Sequence, residues 1–519
     1  MSKASDRSSQ SSSCWVVCAW LAAVIMMALS GQQAHAADFS VHDTGDPVAN
    51  GAALVGAINA AMHTVEEDDR VLLDPGVHYV LANPDASDPD TGLPVIRSGI
   101  TIRGGYGSNG ELTTIERKAG SPPFRILRIE ATIRWVPVVY CTGPEPTDIP
   151  PTVRLEYLRI RNGNTVDTAH FGGGILNLDG QLILYRSEVS DNSADFGGGL
   201  RNDVYTVADK NFCYGAPVTD LKFVSGNVSI QETTLHNNHA LGSGGGVSNA
   251  TTMRIDHSTI NANQGDEEGG GIANGGTLEI ANSTVSGNFT TGPFAVRPGD
   301  AAAGIQNAGR LTVSFSTVAF NQGSGLANAS PGLVTLANTI LAGNVAIYEG
   351  AGAGPQPFDC SGVLRSLGRN LIGVVDPHSG CTITRGRDDQ IGLDRAAPID
   401  AKLLPLAANG GFTQTHALLV GSPAIDRADT TAPACPIDDQ RGIMRRRVPA
   451  DSCDIGAFEK EFLGDCRFGC SVWRVVGVCV NNPLACQKIV IPEIDKLPDF
   501  PKFPDCLVDG PGCGPLDFK

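Results

Sequence analysis

The fold is set by a repeated stretch that begins GGGILNLDGQLILYRSEVSDN at residues 172–192 and continues to about residue 344. Each copy has a glycine-rich start, a branched or leucine side chain, an Asn, two alternating apolar residues, a Ser or Thr, one further apolar residue and a closing Asn. The last glycine of the start recurs after 25, 47, 25, 33 and 21 residues, at Gly174, Gly199, Gly246, Gly271, Gly304 and Gly325. Repeats of this length are typical of solenoids, propellers and arrays.

The apolar residues of each copy predict strands and not helices. Leu182 and Leu184 are two residues apart, as in a strand whose side chains alternate between faces, and Val189 follows after a bend near Ser187. Two or three short strands in each copy, with every coil covering the open edge of its neighbour, form a parallel β-helix. We therefore predict an all-β solenoid, a right-handed single-stranded parallel β-helix.

Two sets of asparagines recur at fixed places in the copies. Inward amides at the same place in successive coils can stack and hydrogen-bond along the axis of the solenoid. This pattern favours a structural role over a catalytic one. The first set follows the glycines and the second closes the strands: Asn177, Asn202, Asn249, Asn274 and Asn307, then Asn192, Asn238, Asn263, Asn288 and Asn321.

Residues 1–36 have the pattern of a secretory signal peptide, with a basic start, an apolar segment that is short for a membrane span and an A-x-A cleavage site at residues 34–36. We expect cleavage after Ala36 and a secreted or cell-surface protein. No later run predicts a membrane span. A formal net charge of -17 disfavours nucleic acid as a partner.

Changes in composition divide the rest of the chain into four parts. We expect an N-terminal cap over residues 37–92, in which a helix covers the open end of the solenoid core. The parallel β-helix follows over residues 93–345. Further coils and a separate block occupy residues 346–460, and a Cys- and Pro-rich tail occupies residues 461–519.

The sequence has 14 cysteines, of which two lie in the predicted signal peptide, and the others predict disulfides in a secreted chain. Cys141 and Cys213 stand in two insertions that a disulfide would join. The cysteine spacings do not match a zinc site, so no metal site is predicted. Four further cysteines are expected to be disulfide-bonded: Cys360, Cys381, Cys435 and Cys453.

An acidic turn at residues 84–92, PDASDPDTG, faintly resembles a calcium loop through Asp85, Asp88 and Asp90. It lacks the spacing and the closing Glu of an EF-hand. We expect no cofactor, keep calcium as the one candidate ion, and take a solvated turn as the simpler interpretation.

Two segments, NGGFTQTHALLVGSPAID (residues 409–426) and CDIGAFE (453–459), resemble the C-terminal block of bacterial secreted right-handed parallel β-helix proteins of the choice-of-anchor type. The opening DFSVHDTGDPVANGAALVGAINAAM (38–62) is similar, more loosely, to their N-terminal CSLREA segment, although the CSLREA letters are absent. The repeats also resemble those of polymorphic outer-membrane proteins. The resemblance covers about residues 38–460 and implies an exported, surface-associated protein, without a shared catalytic motif.

Ionisable side chains precede the glycines in several copies. Because coils lie about 4.8 Å apart, Asp195 and Glu267 are expected roughly 10 Å apart, on either side of the coil that carries His239. Glycoside hydrolysis uses two carboxylates about 5–9.5 Å apart, and His can act as acid or base. Asp195, His239 and Glu267 are therefore the candidate catalytic residues. The whole set is His170, Asp195, His239, Asp266, Glu267 and Glu268.

A second set of outward side chains stands directly before the repeated Ser or Thr. Charged side chains occupy outward positions in any solenoid, so a solvated ladder is the alternative to a site for both sets. The basic run at residues 441–447 either binds an acidic glycan or supplies Arg441 as an internal partner of Asp438 or Asp439. The second set is Arg186, Glu232, His257 and Asn282, and its ionisable members, with His170, are the candidate binding residues.

Three functions fit these patterns. The first is an adhesin-like surface protein that binds a polysaccharide, a surface glycan or another extracellular partner. The second is a polysaccharide lyase or glycoside hydrolase that acts on an acidic glycan, since enzymes that resemble this architecture mostly cut such polymers. The third is a purely structural component of the cell envelope. The fold alone does not choose among them, because function depends on the sites that a fold carries.

Overall fold

The computed structural model describes residues 36–63, 68–133, 148–204, 226–291, 302–348, 354–375, 380–428, 434–445 and 452–460. The predicted signal peptide before Ala36, the cysteines Cys141 and Cys213, and the tail from residue 461 lie outside these residues. Within them the chain is almost entirely parallel β-sheet, so the predicted parallel β-helix is confirmed. Among the described residues, no helix has the length and apolar character that a membrane span needs.

Three long parallel sheets run along the axis, and each coil contributes about one strand to each of them. Sheet 1 has twelve strands: Asp38–Val41, Asp69–Leu73, Ile100–Arg103, Thr152–Glu156, Gln181–Tyr185, Asn227–Gln231, Thr252–Asp256, Thr277–Ala281, Arg310–Ser314, Leu333–Ala337, Val363–Gly368 and Thr382–Thr384. Sheet 2 has eleven: His78–Leu81, Thr113–Arg117, Leu158–Arg161, Glu188–Ser190, Thr234–His236, Thr259–Asn261, Thr284–Ser286, Thr317–Ala319, Ile340–Ala342, Leu371–Ile372 and Gln390–Ile391.

Sheet 3 has eight strands: Leu127–Glu130, Ile175–Leu178, Leu200–Asp203, Val247–Asn249, Ile272–Asn274, Ala302–Asn307, Ser324–Asn328 and Cys360–Ser361. A short sheet 4 precedes it in four coils, with Ser193–Ala194, His239–Ala240, Gln264–Gly265 and Phe289–Thr290. The remaining strands form two antiparallel pairs, Thr132–Ile133 with Asp148–Ile149 and Val345–Tyr348 with Gly354–Pro357.

The described residues contain one helix, α1 (Pro47–Met62), which covers the N-terminal end of the core, as the sequence predicts. Asp46 caps it by accepting a hydrogen bond from the backbone N–H of Val48, and Pro47 occupies the first turn, where its missing N–H costs nothing. Leu54 and Ile58 are fully buried in the same apolar core as the first strands. Gly51 packs so closely on Val80 that an added Cβ would lie 2.2 Å from its carbonyl oxygen.

From Tyr157 to Arg369, each corner between sheet 1 and sheet 2 contains one residue with a left-handed backbone. Arg186, Glu232 and His257 have φ values of 49°, 46° and 48°. The buried Ser or Thr that follows holds the corner in place. Ser258, for example, donates to the Asp256 carbonyl at 2.7 Å and accepts the Thr233 N–H of the neighbouring coil at 3.2 Å.

Both predicted asparagine ladders are present inside the core. Asn263 is fully buried, and its Nδ2 donates to Asn288 Oδ1 at 3.0 Å and to the Leu235 carbonyl at 3.0 Å. Its own Oδ1 accepts from both the N–H and the Nδ2 of Asn238. The same contacts repeat along the coils, so every amide in this ladder is partnered on both sides.

The ladder of closing asparagines ends on a carboxyl group. The N–H and Nδ2 of Asn344 donate to Oδ1 of Asp359 at 3.0 and 2.9 Å, and the Val374 N–H donates to Oδ2 at 2.8 Å. Complete burial raises the pKa of Asp359 to about 7, against the opposing effect of these hydrogen bonds. The adjacent Cys360 is bonded to Cys381, as expected for both.

Residues 397–428, 434–445 and 452–460, called the docking block below, fold back over the outer face of sheet 2. Leu418 and Ile455 of the block join Ile340 and Leu371 of sheet 2 in a second apolar core. The disulfide Cys435–Cys453, expected from the sequence, lies in this core.

Buried polar contacts fix the position of the docking block. Gln440 Nε2 donates to Thr259 Oγ1 at 2.8 Å, and Thr284 Oγ1 donates to Gln440 Oε1 at 2.6 Å. Arg445, fully buried, donates to Asn282 Oδ1 at 3.1 Å. Each contact joins the block to the β-helix more than 150 residues earlier in the sequence.

Arg441 and Asp439 form an internal ion pair, with 2.7 Å between Nη2 and Oδ2 and side-chain exposures of 5% and 0%. Of the two roles considered for the basic run, the structure therefore supports the internal partner for Arg441.

Substitution of Asn263 by Ala should lower the stability by on the order of 2–4 kcal/mol, since it leaves buried donors and acceptors of both neighbouring coils unpaired. Thermal unfolding followed by circular dichroism measures the effect. Asn227→Ala, at an exposed strand position, is the matched control and should change the melting temperature little. Equal changes in melting temperature for the two variants would contradict a stabilising role of the Asn ladder.

Asp359 should contribute more to the stability of the fold at acid pH than at alkaline pH. A carboxyl whose folded pKa lies above its ordinary value of 3.8 stabilises the fold while protonated, and this contribution is lost as the pH rises through about 7. The difference in melting temperature between the wild type and Asp359→Asn should therefore decrease as the pH is raised from about 4 to about 8. Asp388→Asn, with a side chain 56% exposed, is the control. A difference that rises with pH would show that the sign is wrong.

Candidate functional site

The structure places the first predicted set of ionisable residues on one edge of the solenoid, in the turns before sheet 3. We call His170, Asp195, His239, Asp266, Glu267 and Glu268 the turn ridge. Each of its two histidines forms a hydrogen bond with an Asp of the adjacent coil. His170 Nδ1 contacts Asp195 Oδ2, and His239 Nε2 lies 3.1 Å from Asp266 Oδ1.

The three candidate catalytic residues lie on three successive coils, and two of them pair with residues outside the candidate set. Asp195 bonds His170, and His239 bonds Asp266, while Glu267 is exposed. Asp195 and Glu267 are on the coils either side of His239, two coil spacings or roughly 10 Å apart in the backbone. The sheet register aligns Asp195 with Asp266, because Ala194 and Gly265 both pair with Ala240. Counting back from the glycines in the sequence aligns Asp195 with Glu267 instead, because the later turns contain one extra residue.

The carboxyl groups of the turn ridge differ in their acidity. Burial, with a smaller effect of the neighbouring Glu267, raises the pKa of Glu268. Burial also opposes ionisation of Asp266, but hydrogen bonds from Thr291, Gln264 and His239 hold the pKa of Asp266 below its ordinary value. Carboxyl groups whose environments shift their pKa values in opposite directions, as for Glu268 and Asp266, are a combination suited to acid–base chemistry.

The second predicted set forms the column of left-handed corners between sheets 1 and 2. Two of its members pair across adjacent coils: Arg186 Nε donates to Glu232 Oε2 at 2.9 Å. His257, the next in the column, lies at the edge of the docking block, 3.3 Å from Asp438 Oδ1 and 2.9 Å from Asp256 Oδ1. Burial opposes protonation of His257, but the two carboxylates raise its pKa. His257 therefore helps to hold the block.

Aromatic side chains extend this column toward the N-terminus. The ring centroids of Tyr106 and Tyr157 are 6.2 Å apart, and those of Tyr157 and Tyr185 are 5.9 Å apart, both edge to face. The Arg186 guanidinium lies 5.0 Å from the Tyr185 ring centroid and 3.7 Å from that of Phe412, which the docking block supplies. We call these four rings and Arg186 the aromatic track.

The aromatic track is accessible and held in place. Tyr106 and Phe412 are 45% and 44% exposed. Tyr157 occupies a left-handed corner, and Tyr185 ends a strand of sheet 1. Tyr157 and Tyr185 therefore project from the regular coils, which fix the separation of these two rings, and this is favourable for recognising an extended ligand.

Ion pairs border the aromatic track on the outer face of sheet 2. Arg159 Nε lies 2.8 Å from Glu188 Oε1, and His236 Nε2 lies 3.0 Å from the same oxygen. Burial opposes ionisation of Glu188, but His236 and Arg159 hold the pKa of Glu188 below its ordinary value. These groups give the track a polar border on the part of sheet 2 that precedes the docking block.

Sequence reasoning found Arg186 and Glu232 but not the rings around them. Tyr157 has the same place before the bend as Arg186, so the repeat alignment carried a signal for it. Phe412 had no such signal, because its place beside Arg186 depends on how the docking block folds back.

A second buried contact looks like a catalytic pair but is structural. Ser286 Oγ lies 2.8 Å from His416 Nε2, and His416 Nδ1 lies 2.7 Å from the Leu404 carbonyl. Both side chains belong to residues only 2% exposed. They sit between sheet 2 and the docking block, where a substrate has no access, and they join the two.

The acidic turn considered for calcium uses its carboxylates internally. Asp88 Oδ2 lies 3.1 Å from Arg128 Nη1 and accepts a hydrogen bond from Thr91, while Asp85 accepts the Ser87 N–H. Across the described part of the chain, no group of three or more His, Cys, Asp or Glu side chains is arranged to hold a metal ion.

The family resemblance remains a prediction from the sequence. No family model, no curated protein and no solved structure matches the chain. The function of the turn ridge and of the aromatic track therefore has to be argued from their own side chains.

Proposed function

We propose that this protein is exported and binds a polysaccharide or surface glycan along the aromatic track, as an adhesin-like protein of the cell surface or its surroundings. The observation that carries the proposal is the row of four accessible rings joined through Arg186. A pyranose ring presents a face of weakly positive C–H groups, which suits the negative face of an aromatic ring.

The polar groups beside the rings fit the hydroxyls of a sugar. A carboxylate oxygen has more than one lone pair, so Glu188 and Glu232 can accept from hydroxyl groups while keeping their arginine partners. The phenol groups of Tyr106 and Tyr185 can donate as well as accept. A mixture of aromatic surface and a few fixed polar groups is typical of small-molecule and oligosaccharide sites.

The length of the track also favours a polymer over a single sugar. Tyr106, Tyr157 and Tyr185 stand on three successive coils, and each coil adds about 4.8 Å along the axis. Because the coils are rigidly stacked, several weak stacking contacts can form together without much loss of side-chain freedom.

A glycoside hydrolase or polysaccharide lyase is the second candidate, favoured by the turn ridge. The raised pKa of Glu268, next to Glu267, and the pairing of His239 with Asp266 supply an acid and a base on neighbouring turns. Release of reducing ends or of unsaturated sugars by the wild type, and its loss in Glu268→Gln, would support this candidate over simple binding.

Tyr185→Ala and Tyr157→Ala should each weaken binding to a retained polysaccharide by about three- to tenfold, since an aromatic contact contributes about 0.5–1.5 kcal/mol. Affinity electrophoresis against a panel of immobilised polysaccharides measures the change, with circular dichroism as the check on folding. Phe196→Ala, which removes an exposed ring next to Asp195 of the turn ridge, is the matched control. Binding that depends on Phe196 and not on Tyr185 would place the binding site at the turn ridge and not at the aromatic track.

A further inference from the structure

We infer that the glycan bound by the aromatic track is uncharged, an inference that rests on the proposed function and specifies its ligand. The observation behind it is that all five arginines bordering the track in the described structure contact carboxylates, although there are only four carboxylates, because Arg103 and Arg154 share Glu156. The pairs are Arg103 with Glu156, Arg154 with Glu156, Arg159 with Glu188, Arg161 with Glu116, and Arg186 with Glu232.

The contacts of Arg186 explain why the carboxylate of an acidic glycan should bind weakly at the aromatic track. Two of its N–H groups face Glu232, at 2.9 and 3.4 Å, and a third faces the Tyr157 hydroxyl at 3.3 Å. Phe412 covers one face of the guanidinium at 3.7 Å. An incoming carboxylate would meet Glu232 in the place where it needs the positive charge, and like charges brought together in this way disfavour a partner strongly.

The pair beside it leads to the same conclusion. Glu188 contacts both Arg159 and His236, so its charge is matched within the face of sheet 2. The sequence as a whole has a formal net charge of -17, which repels a polyanion at longer range. Acidic glycans therefore meet repulsion both from a distance and at the track.

A neutral glycan needs none of these ion pairs to open. Its ring faces can stack on the four aromatic side chains, and its hydroxyls can donate to carboxylate oxygens that remain paired with arginine. Burial raises the pKa of Tyr106, and also that of Tyr185, so both phenols stay protonated at neutral pH and can donate to sugar oxygens. The same ion pairs that exclude a polyanion thus fix the acceptors for an uncharged ligand.

The test compares neutral polysaccharides with their own oxidised forms. Neutral glucans, mannans, galactans and xylans, and the same hexose polymers after oxidation of their primary alcohols to carboxylates, are titrated against the mature chain by isothermal calorimetry. Each pair has the same linkages and differs only in charge. The expected result is binding of at least one neutral polymer, with its oxidised form at least about tenfold weaker. The affinity for the neutral polymer should be almost unchanged between low salt and about 0.5 M salt.

Glu232→Gln provides the sharper prediction, because it leaves Arg186 without its carboxylate partner. This variant should gain affinity for the oxidised polymer, by about tenfold relative to the neutral one. Glu279→Gln, which removes one of the two carboxylate partners of Arg254 elsewhere on sheet 1, is the control for the loss of a surface carboxylate and should leave the ratio unchanged. The melting temperature of both variants shows whether they fold, and the wild-type comparison does not depend on either.

Two results would overturn the inference in distinguishable ways. Tighter binding of the oxidised polymer by the wild type, weakened by salt and by Tyr185→Ala, would leave glycan binding at the track intact but show that the ligand is acidic. Absence of binding to every neutral and oxidised polymer would overturn the proposed function together with the inference.

Discussion

The structure depends above all on one repeated hydrogen bond, in which the buried amide of an Asn donates to the amide oxygen of the Asn in the next coil. A buried amide without partners would be costly, but in a ladder each amide satisfies the next one. The contacts from Asn238 to Asn263 and from Asn263 to Asn288 are all about 3.0 Å. This constraint fixes the register of the coils even where an insertion lengthens the repeat from 25 to 47 residues, since Asn192 still donates to Asn238 and Asn202 to Asn249.

The same register converts a one-dimensional repeat into columns of side chains on the surface. Every residue at a given place in the repeat stands about 4.8 Å from its counterpart in the next coil. At the corner between sheets 1 and 2 the column reads Tyr157, Arg186, Glu232 and His257, so stacking, pairing and hydrogen bonding between these side chains follow from the ladder beneath them. The outward residues that differ between the copies of the repeat therefore determine the chemistry of the surface.

The docking block determines which part of that surface remains available. It covers the outer face of sheet 2 from about Thr259 onward, through apolar contacts and buried polar contacts such as those of Gln440. In the described part of the chain, Arg159 and Glu188 of the earlier coils keep part of their side chains exposed. Where the covered part of sheet 2 begins, the block supplies Phe412 to the aromatic track. The same segment therefore covers the later coils and completes the candidate site beside the earlier ones.

The sequence by itself determined the coil: the strand positions, the inward Ser and Thr, the two Asn ladders, the capping helix and the four paired cysteines all follow from local periodicity and composition. It also identified Arg186 and Glu232, because a repeat of fixed length reveals its outward positions. Only the tertiary structure decided that His239 pairs with Asp266 and that His257 lies against the docking block. The reason is physical: a repeat specifies contacts between neighbouring coils, whereas the return of the block and a one-residue change in turn length depend on contacts that no local pattern encodes.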